Sequence, residues 1–265
     1  MTRKTPEQLA RTVFGKRAAK YTISACHTDP FVLSDVIQFC APEPQWSAVD
    51  VATGTGHTAF ALAPQVARVY ALDITPEMIS EAQKLQAQNG IANVTFLMAD
   101  AHRLPFATES VDLVTCRRSA HHFSDIFKAL GEMKRILRSE GRLVIDDRSV
   151  PEDDFIDDCM NRLDRLHDTS HVRQYRPGEW KKMLEHEGFR IDKIAPYVKH
   201  RPLTSLTDGV SPTKQRAIHR ILRRLNDSQR FALNLIEIDG QAWINHWYVM
   251  IACRGCESKL PHSSN

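Results

Sequence analysis

The sequence predicts an α/β fold: a mostly parallel sheet with helices on both faces. Three observations carry that prediction. Strand-like and helix-like segments alternate five times through the middle of the chain. The strand-like segments are too apolar to face water. The first passes into its helix through Thr53-Gly54-Thr55-Gly56, and the second ends at Asp73, 19 residues beyond Gly54.

Taken in order, "MTRKTPEQLARTVFGKRAAK" is basic and helix-like, and "FGKRAAKYTISACHTDP" reads as a polar connection. Asp29-Pro30 supplies a cap and first turn for "FVLSDVIQFC". "SAVDVA" is a short strand of small and β-branched residues, "HTAFALAPQVA" a helix with one apolar face, and "ARVYALDI" the second strand. "TPEMISEAQKLQAQNGI" has a proline near its start and Asn89-Gly90 as its stop, and the strand "NVTFLMAD" follows. "AHRLPFATES" is a loop, "VDLVTCR" a strand, "DIFKALGEMKRILRSEG" a helix closing at Gly141, and "RLVIDD" a strand. Downstream, "PEDDFIDDCMNRLDRLHD" puts Phe155, Cys159, Leu163 and Leu166 on one helical face. A short helix around "EWKKMLEHEGF", the helix "SPTKQRAIHRILRRLND" and the strand "AWINHWYVMIAC" complete the chain. The expected organisation is one domain over 1–265, with cap helices in 1–45, a cofactor-binding core in 46–150, and substrate-side helices with the final strands in 151–265.

A chain of 265 residues, 42% apolar and 25% charged, has enough material for one substantial core. Its longest apolar run, "WYVMIAC", is far below the roughly 20 residues that cross a bilayer. The N-terminus lacks the apolar stretch and cleavage site of a secretory signal, so a cytoplasmic protein is expected, although its basic, helix-like character is also that of a transit peptide. Cys26, Cys40, Cys116, Cys159, Cys253 and Cys256 are scattered, as reduced thiols are. Cys253 and Cys256 alone have ligand-like spacing; with no second CxxC or histidine pair downstream, no metal is expected. A net charge of +3 is too small to imply nucleic acid.

Gly54 and Gly56 allow positive φ and close approach of a ligand to the backbone, and the helix start offers unpaired N–H groups. A strand-end carboxylate at Asp73 suits ribose hydroxyls. Gly54, Gly56 and Ala59 also fit the pattern of nicotinamide and flavin enzymes, so the glycines alone do not choose between cofactors.

Together, "VDVATGTGH", "ALDITPEMI", "ADAHRLPF", "VDLVTCRRSAHHF", "LRSEGRLVI" and "SHVRQYRPGEW" resemble the class I S-adenosylmethionine-dependent methyltransferases, specifically the type 11 group related to ubiquinone and menaquinone biosynthesis C-methyltransferases. The resemblance covers roughly residues 8 to 200 on domain-size grounds. It departs from the group at Ala52, where many relatives carry a glycine, and at Ser139-Glu140-Gly141, which replaces Pro-Gly-Gly. It implies a Rossmann-like sheet and S-adenosyl-L-methionine as cofactor. Ala52, Thr53, Gly54 and Gly56 would meet the amino acid moiety, with Asp50 beneath. Asp73 would hold the ribose, Ile74 and Met78 would flank the adenine, Asp100 and Ala101 would meet its edge, Arg117 would close the pocket, and Tyr21 would act as a lid.

In-line methyl displacement needs alignment and exclusion of water, and a base only when the acceptor arrives protonated. His121 and His122 are the candidate bases, with His122 favoured, and His171, Arg173 and Tyr175 the candidate acceptor contacts. The expected acceptor is a small molecule. One rival, a nicotinamide-dependent oxidoreductase, lacks a Tyr-x-x-x-Lys pair here. A second, an RNA or protein methyltransferase, is suggested by Lys214, Arg216, Arg220, Arg223, Arg224 and Arg230. No aromatics interleave with these charges, as nucleic acid binding would favour. A third, a cofactor-binding module without catalysis, leaves no mark in sequence.

Overall fold

The computed structural model describes residues 5–255. Three helices, α1 (Pro6–Tyr21), α2 (Ala25–Thr28) and α3 (Pro30–Cys40), precede the alternating region. There β1 (Ser47–Val51), α4 (His57–Leu62), β2 (Arg68–Asp73), α5 (Pro76–Asn89), β3 (Val94–Met98), β4 (Val111–Arg117), α6 (Ile126–Ile136) and β5 (Leu137–Ser149) follow in turn. Then come α7 (Asp154–His167), α8 (Pro177–His186), β6 (Phe189–Pro202), α9 (Thr204–Thr207), α10 (Pro212–Arg223), α11 (Asp227–Ala232), β7 (Ile236–Ile238) and β8 (Gln241–Gly255).

The sheet runs β3-β2-β1-β4-β5-β8-β6, with β7 a short addition beside β8. The first five strands pair in parallel. β8 enters antiparallel between β5 and β6. Alternation sorts the strand residues between two cores. Val49, Val114, Ile145 and Ile251 pack with α6 and α8, while Ala48, Leu113, Val144 and Met250 pack with α3 and α4. A third cluster joins α7 and α10 through Cys159, Leu163, Ile218 and Leu222, with Phe155 and Leu166 packed against it.

Local chemistry sets the boundaries. Asp29 caps α3, accepting the N–H groups of Phe31 and Val32 at 3.1 and 3.3 Å. Gly90 ends α5 at φ 63°. Three expectations need correction. The helix expected to close at Gly141 ends at Ile136, because Leu137 already pairs with Val111 and Glu140 turns the chain at φ 61°. The polar connection expected from Phe14 is helical to Tyr21, because Thr5 and Gln8 form a capping box ahead of Pro6 and launch α1. β6, for which no strand was expected, pairs along its whole length with β8. No helix among the described residues is long and apolar enough to cross a membrane. The expected CxxC pair is only half visible: Cys253 is buried in β8, and Cys256 lies outside the described residues.

Candidate active site

The turn after β1 sits at the carboxyl edge of the parallel strands, where open α/β sheets bind ligands. Ala52 and Gly54 both adopt left-handed backbone, at φ 55° and 56°. Beneath them Asp50 accepts the hydroxyls of Thr53 at 2.6 Å and Thr115 at 2.7 Å. Burial nevertheless pushes its carboxyl up to about 6. Asp73 accepts the N–H groups of Gly54 and Thr75, both at 2.8 Å, so strand end and turn are tied directly. Burial raises the Asp73 carboxyl against these donors. Asp100 accepts the N–H of His102 at 2.9 Å and meets its Nδ1 at 2.6 Å, which fixes the loop after β3. Arg117 donates to Thr58 Oγ1 and to the His27 carbonyl, both at 2.8 Å, while its Nη1 is buried without a partner.

These groups line a cavity of about 570 Å³ that reaches from the turn to the loops after β3 and β4, to the end of β5 and to α1 and α2. Every residue expected at the cofactor lines it except Gly56. Gly56 instead starts α4 at φ 89°, where a Cβ would lie 2.8 Å from the Phe60 ring. Its role is to make the turn. Tyr21 packs against Phe14 and His27, with ring centroids 5.9 and 4.5 Å away, and its carbonyl accepts from His57 Nε2 at 3.2 Å.

His121, His122 and His171 also line the cavity. His121 is locked: its Nδ1 lies 2.6 Å from Asp147 Oδ1, and its backbone N–H donates to Asp147 Oδ2 at 2.8 Å. A carboxylate partner assigns the proton to Nδ1 and leaves Nε2 the basic nitrogen. Burial holds the His121 imidazole well below its ordinary value, so the ring is neutral. His122, half-buried, places Nδ1 3.1 Å from Ser170 Oγ and rests edge-on against Phe14, centroids 4.9 Å apart. His171 Nε2 is 3.0 Å from Asn161 Oδ1. Arg173 and Tyr175 lie outside the cavity lining: Arg173 is spent on Asp157 at 3.0 Å and Glu179 at 2.8 Å, and Tyr175 packs its ring on Trp180.

Sequence reasoning missed the opposite wall. Arg118, Arg148, Arg201, His246 and Tyr248 all line the cavity. Arg118 takes φ 56°, pairs with Asp146 at 3.0 Å and stacks 3.7 Å from the centre of the Tyr248 ring. Period-two spacing at the end of β5 was the available signal for Asp146 and Arg148; nothing comparable marked β6.

A parallel sheet with one antiparallel strand inserted next to its last, a glycine turn after β1 and a carboxylate closing β2 define a class I methyltransferase. The chain belongs to the family described as "Methyltransferase domain", whose profile matches residues 43–188. It is 37% identical over 184 residues to YcgJ of Bacillus subtilis, named as an uncharacterized methyltransferase, covering 69% of this chain and 70% of that one. The solved structure of YcgJ superposes with a TM-score of 0.80 at 30% identity, over 85% of this chain and 98% of the other. A demethylmenaquinone methyltransferase of Thermus thermophilus is 40% identical over 99 residues, 37% of this chain and 44% of that protein. The protein is a methyltransferase enzyme with a Rossmann-like fold, as the sequence predicted.

Proposed function

We propose that this methyltransferase uses S-adenosyl-L-methionine to methylate a small-molecule acceptor inside the cavity. The observation that carries the reading is continuity: one cavity joins the glycine turn, Asp73 and Asp100 to a polar chamber that Phe14 and Tyr21 also line. The donors suit the cofactor, since Arg117 Nη1 and Thr75 Oγ1 are buried, unpartnered and part of the lining residues. Asp73 would hold the ribose hydroxyls, Ile74 and Met78 the adenine faces, Asp100 and Ala101 its edge, and Ala52, Thr53 and Gly54 the amino acid moiety over Asp50. Arg117 would meet the carboxylate, with Tyr21 closing above. The bound cofactor supplies an electrophilic methyl group on a sulfonium.

The chain itself aligns the acceptor and keeps water out. His121, neutral and oriented by Asp147, is the better-placed base for a protonated acceptor; His122 and His171 would contact the acceptor beside it. The basic face of α10 does not reach the cavity. Arg216, Arg220, Arg223 and Arg224 are exposed and do not line the cavity.

Titration calorimetry with S-adenosylhomocysteine should give one site per chain. Asp73→Ala should weaken it by roughly 1.5–3 kcal/mol, the scale of a lost charged acceptor. Unchanged affinity would remove Asp73 from the site. A tritiated-methyl assay on whole-cell extract divided into small molecules, RNA and protein should label the small molecules; label confined to RNA or protein would reject this reading.

A further inference from the structure

We propose that the acceptor carries an oxyanion, a carboxylate or a phosphate, held at the end of the cavity by Arg201 with Arg148 and His246. This inference rests on the small-molecule reading above and adds the chemical class of the acceptor.

The three residues stand on three neighbouring strands. Arg148 of β5 is opposite Tyr248 of β8, and His246 is two residues along β8 on the same face. His246 is in turn opposite Lys199 of β6, with Arg201 two residues further and opposite Ile244. A diagonal row results, and diagonal neighbours on one sheet face are roughly 7–8 Å apart, within reach of long side chains. All three line the cavity.

Each also has a donor or ring nitrogen that the protein leaves unused. Arg201 Nε, Arg148 Nε and His246 Nδ1 are buried with no hydrogen-bond partner. Orphaned buried donors are rare in folded proteins, so three around one cavity call for a ligand. His246 is 1% exposed, with Nε2 3.1 Å from Ser205 Oγ. Burial, reinforced by Arg148 and Arg201, holds its imidazole well below the ordinary value. The ring is therefore neutral, and a Ser205 hydroxyl donating to Nε2 leaves the proton on Nδ1, a third donor.

The charge balance points the same way. Arg118 is matched by Asp146 at 3.0 Å and Arg148 by Asp164 at 2.7 Å, whereas Arg201 enters no ion pair among the described residues. The other carboxylates on this side are Asp168, which is turned to Arg17 at 3.7 Å and to Ser170, and Asp208, which is exposed. Cys26 reports the resulting field. Burial drives its thiol up, yet Arg118, Arg201, Arg148 and Arg117 together bring it below the usual thiol range. A guanidinium with a free edge beside a neutral N–H donor fits the planar or tetrahedral oxygens of an oxyanion.

The test divides the small-molecule fraction of a whole-cell extract on an anion exchanger at pH 7.5 before the tritiated-methyl assay. Label should enter only the salt-eluted pool. Phosphatase treatment of the labelled product then separates the two sources: label that moves to the unretained pool marks a phosphate, and label that stays marks a carboxylate. Arg201→Gln should lower kcat/KM for the retained acceptor at least tenfold, mainly through KM, with S-adenosylhomocysteine affinity within twofold of wild type as the check on folding. Arg201→Lys should recover part of the loss. Label in the unretained pool alone overturns the inference and leaves the small-molecule reading standing. Retained label that Arg201→Gln does not reduce overturns the role of Arg201. Label found only in RNA or protein overturns the parent reading as well.

Discussion

At the scale of single residues, Asp147 and His121 make the sharpest prediction. A base is useful when its neutral form predominates at working pH. Burial lowers the His121 imidazole, and it raises the Asp147 carboxyl to about 6 although the N–H groups of Arg148 and His121 oppose this. The methylation rate should therefore be flat from pH 7 to 8.5 and fall as pH drops through about 6, where Asp147 takes up a proton and the pair loses its orientation. His121→Gln should cut the rate roughly 100-fold or more with cofactor affinity intact. Asp147→Asn should cut it by a similar factor and abolish the acid limb of the profile, which a merely structural role would not move. A rate loss from His122→Gln larger than that from His121→Gln would transfer the role to His122, which the sequence alone had favoured. The sequence did not reveal the partner that orients His121, because Asp147 lies on a strand 26 residues away.

Among elements, what was legible followed from local chemistry. The glycine turn, the capped starts of α3 and α10 and the apolar runs of β1, β2 and β4 announce themselves, and so do the residues they carry into the cavity. β6 did not. Its two prolines, Pro196 and Pro202, and its charges read as a loop, and an edge strand tolerates both because only one side is paired. The wall built on it, including Arg201, was hidden with it. α1 was read as helix-like, but its end was obscured: its apolar residues form no single stripe, and only Ala10 and Ala18 are buried. α2 has only half-buried and exposed residues. Such weakly anchored elements open first, and a ligand beneath them should hold them down. Limited trypsin digestion should cut first at Arg11, Lys16, Arg17 or Lys20, and saturating S-adenosylhomocysteine should slow that cut several-fold. Equal rates with and without ligand would separate α1 from the cofactor site.

Over the whole molecule, buried ionisable groups set how stability depends on pH. His121, His171 and His246 are buried with imidazoles lowered by desolvation, so they stay neutral in the fold but take up protons near pH 6.5 once unfolded. Their contribution is present above that value and is lost as pH falls. Asp50 and Asp147, raised to about 6, act in the opposite sense by binding protons in the folded state first. His27, His57 and His167 are lowered by burial as well, so the histidines outnumber the raised carboxylates near pH 6 and stability should fall as pH falls. Urea midpoints measured from pH 7.5 to 5.5 should decline accordingly, and a flat series would mean that these histidines are solvated. The place of β8 has a consequence for biosynthesis. It follows every other strand in sequence yet lies between β5 and β6, so the growing chain must hold two open sheet edges apart until it arrives. The two partners it joins are those that bear Arg148 and Arg201. A nascent chain thus assembles its parallel strands early, while the wall bearing Arg148 and Arg201 waits for β8, and any truncation before Gln241 would leave both edges exposed to aggregation.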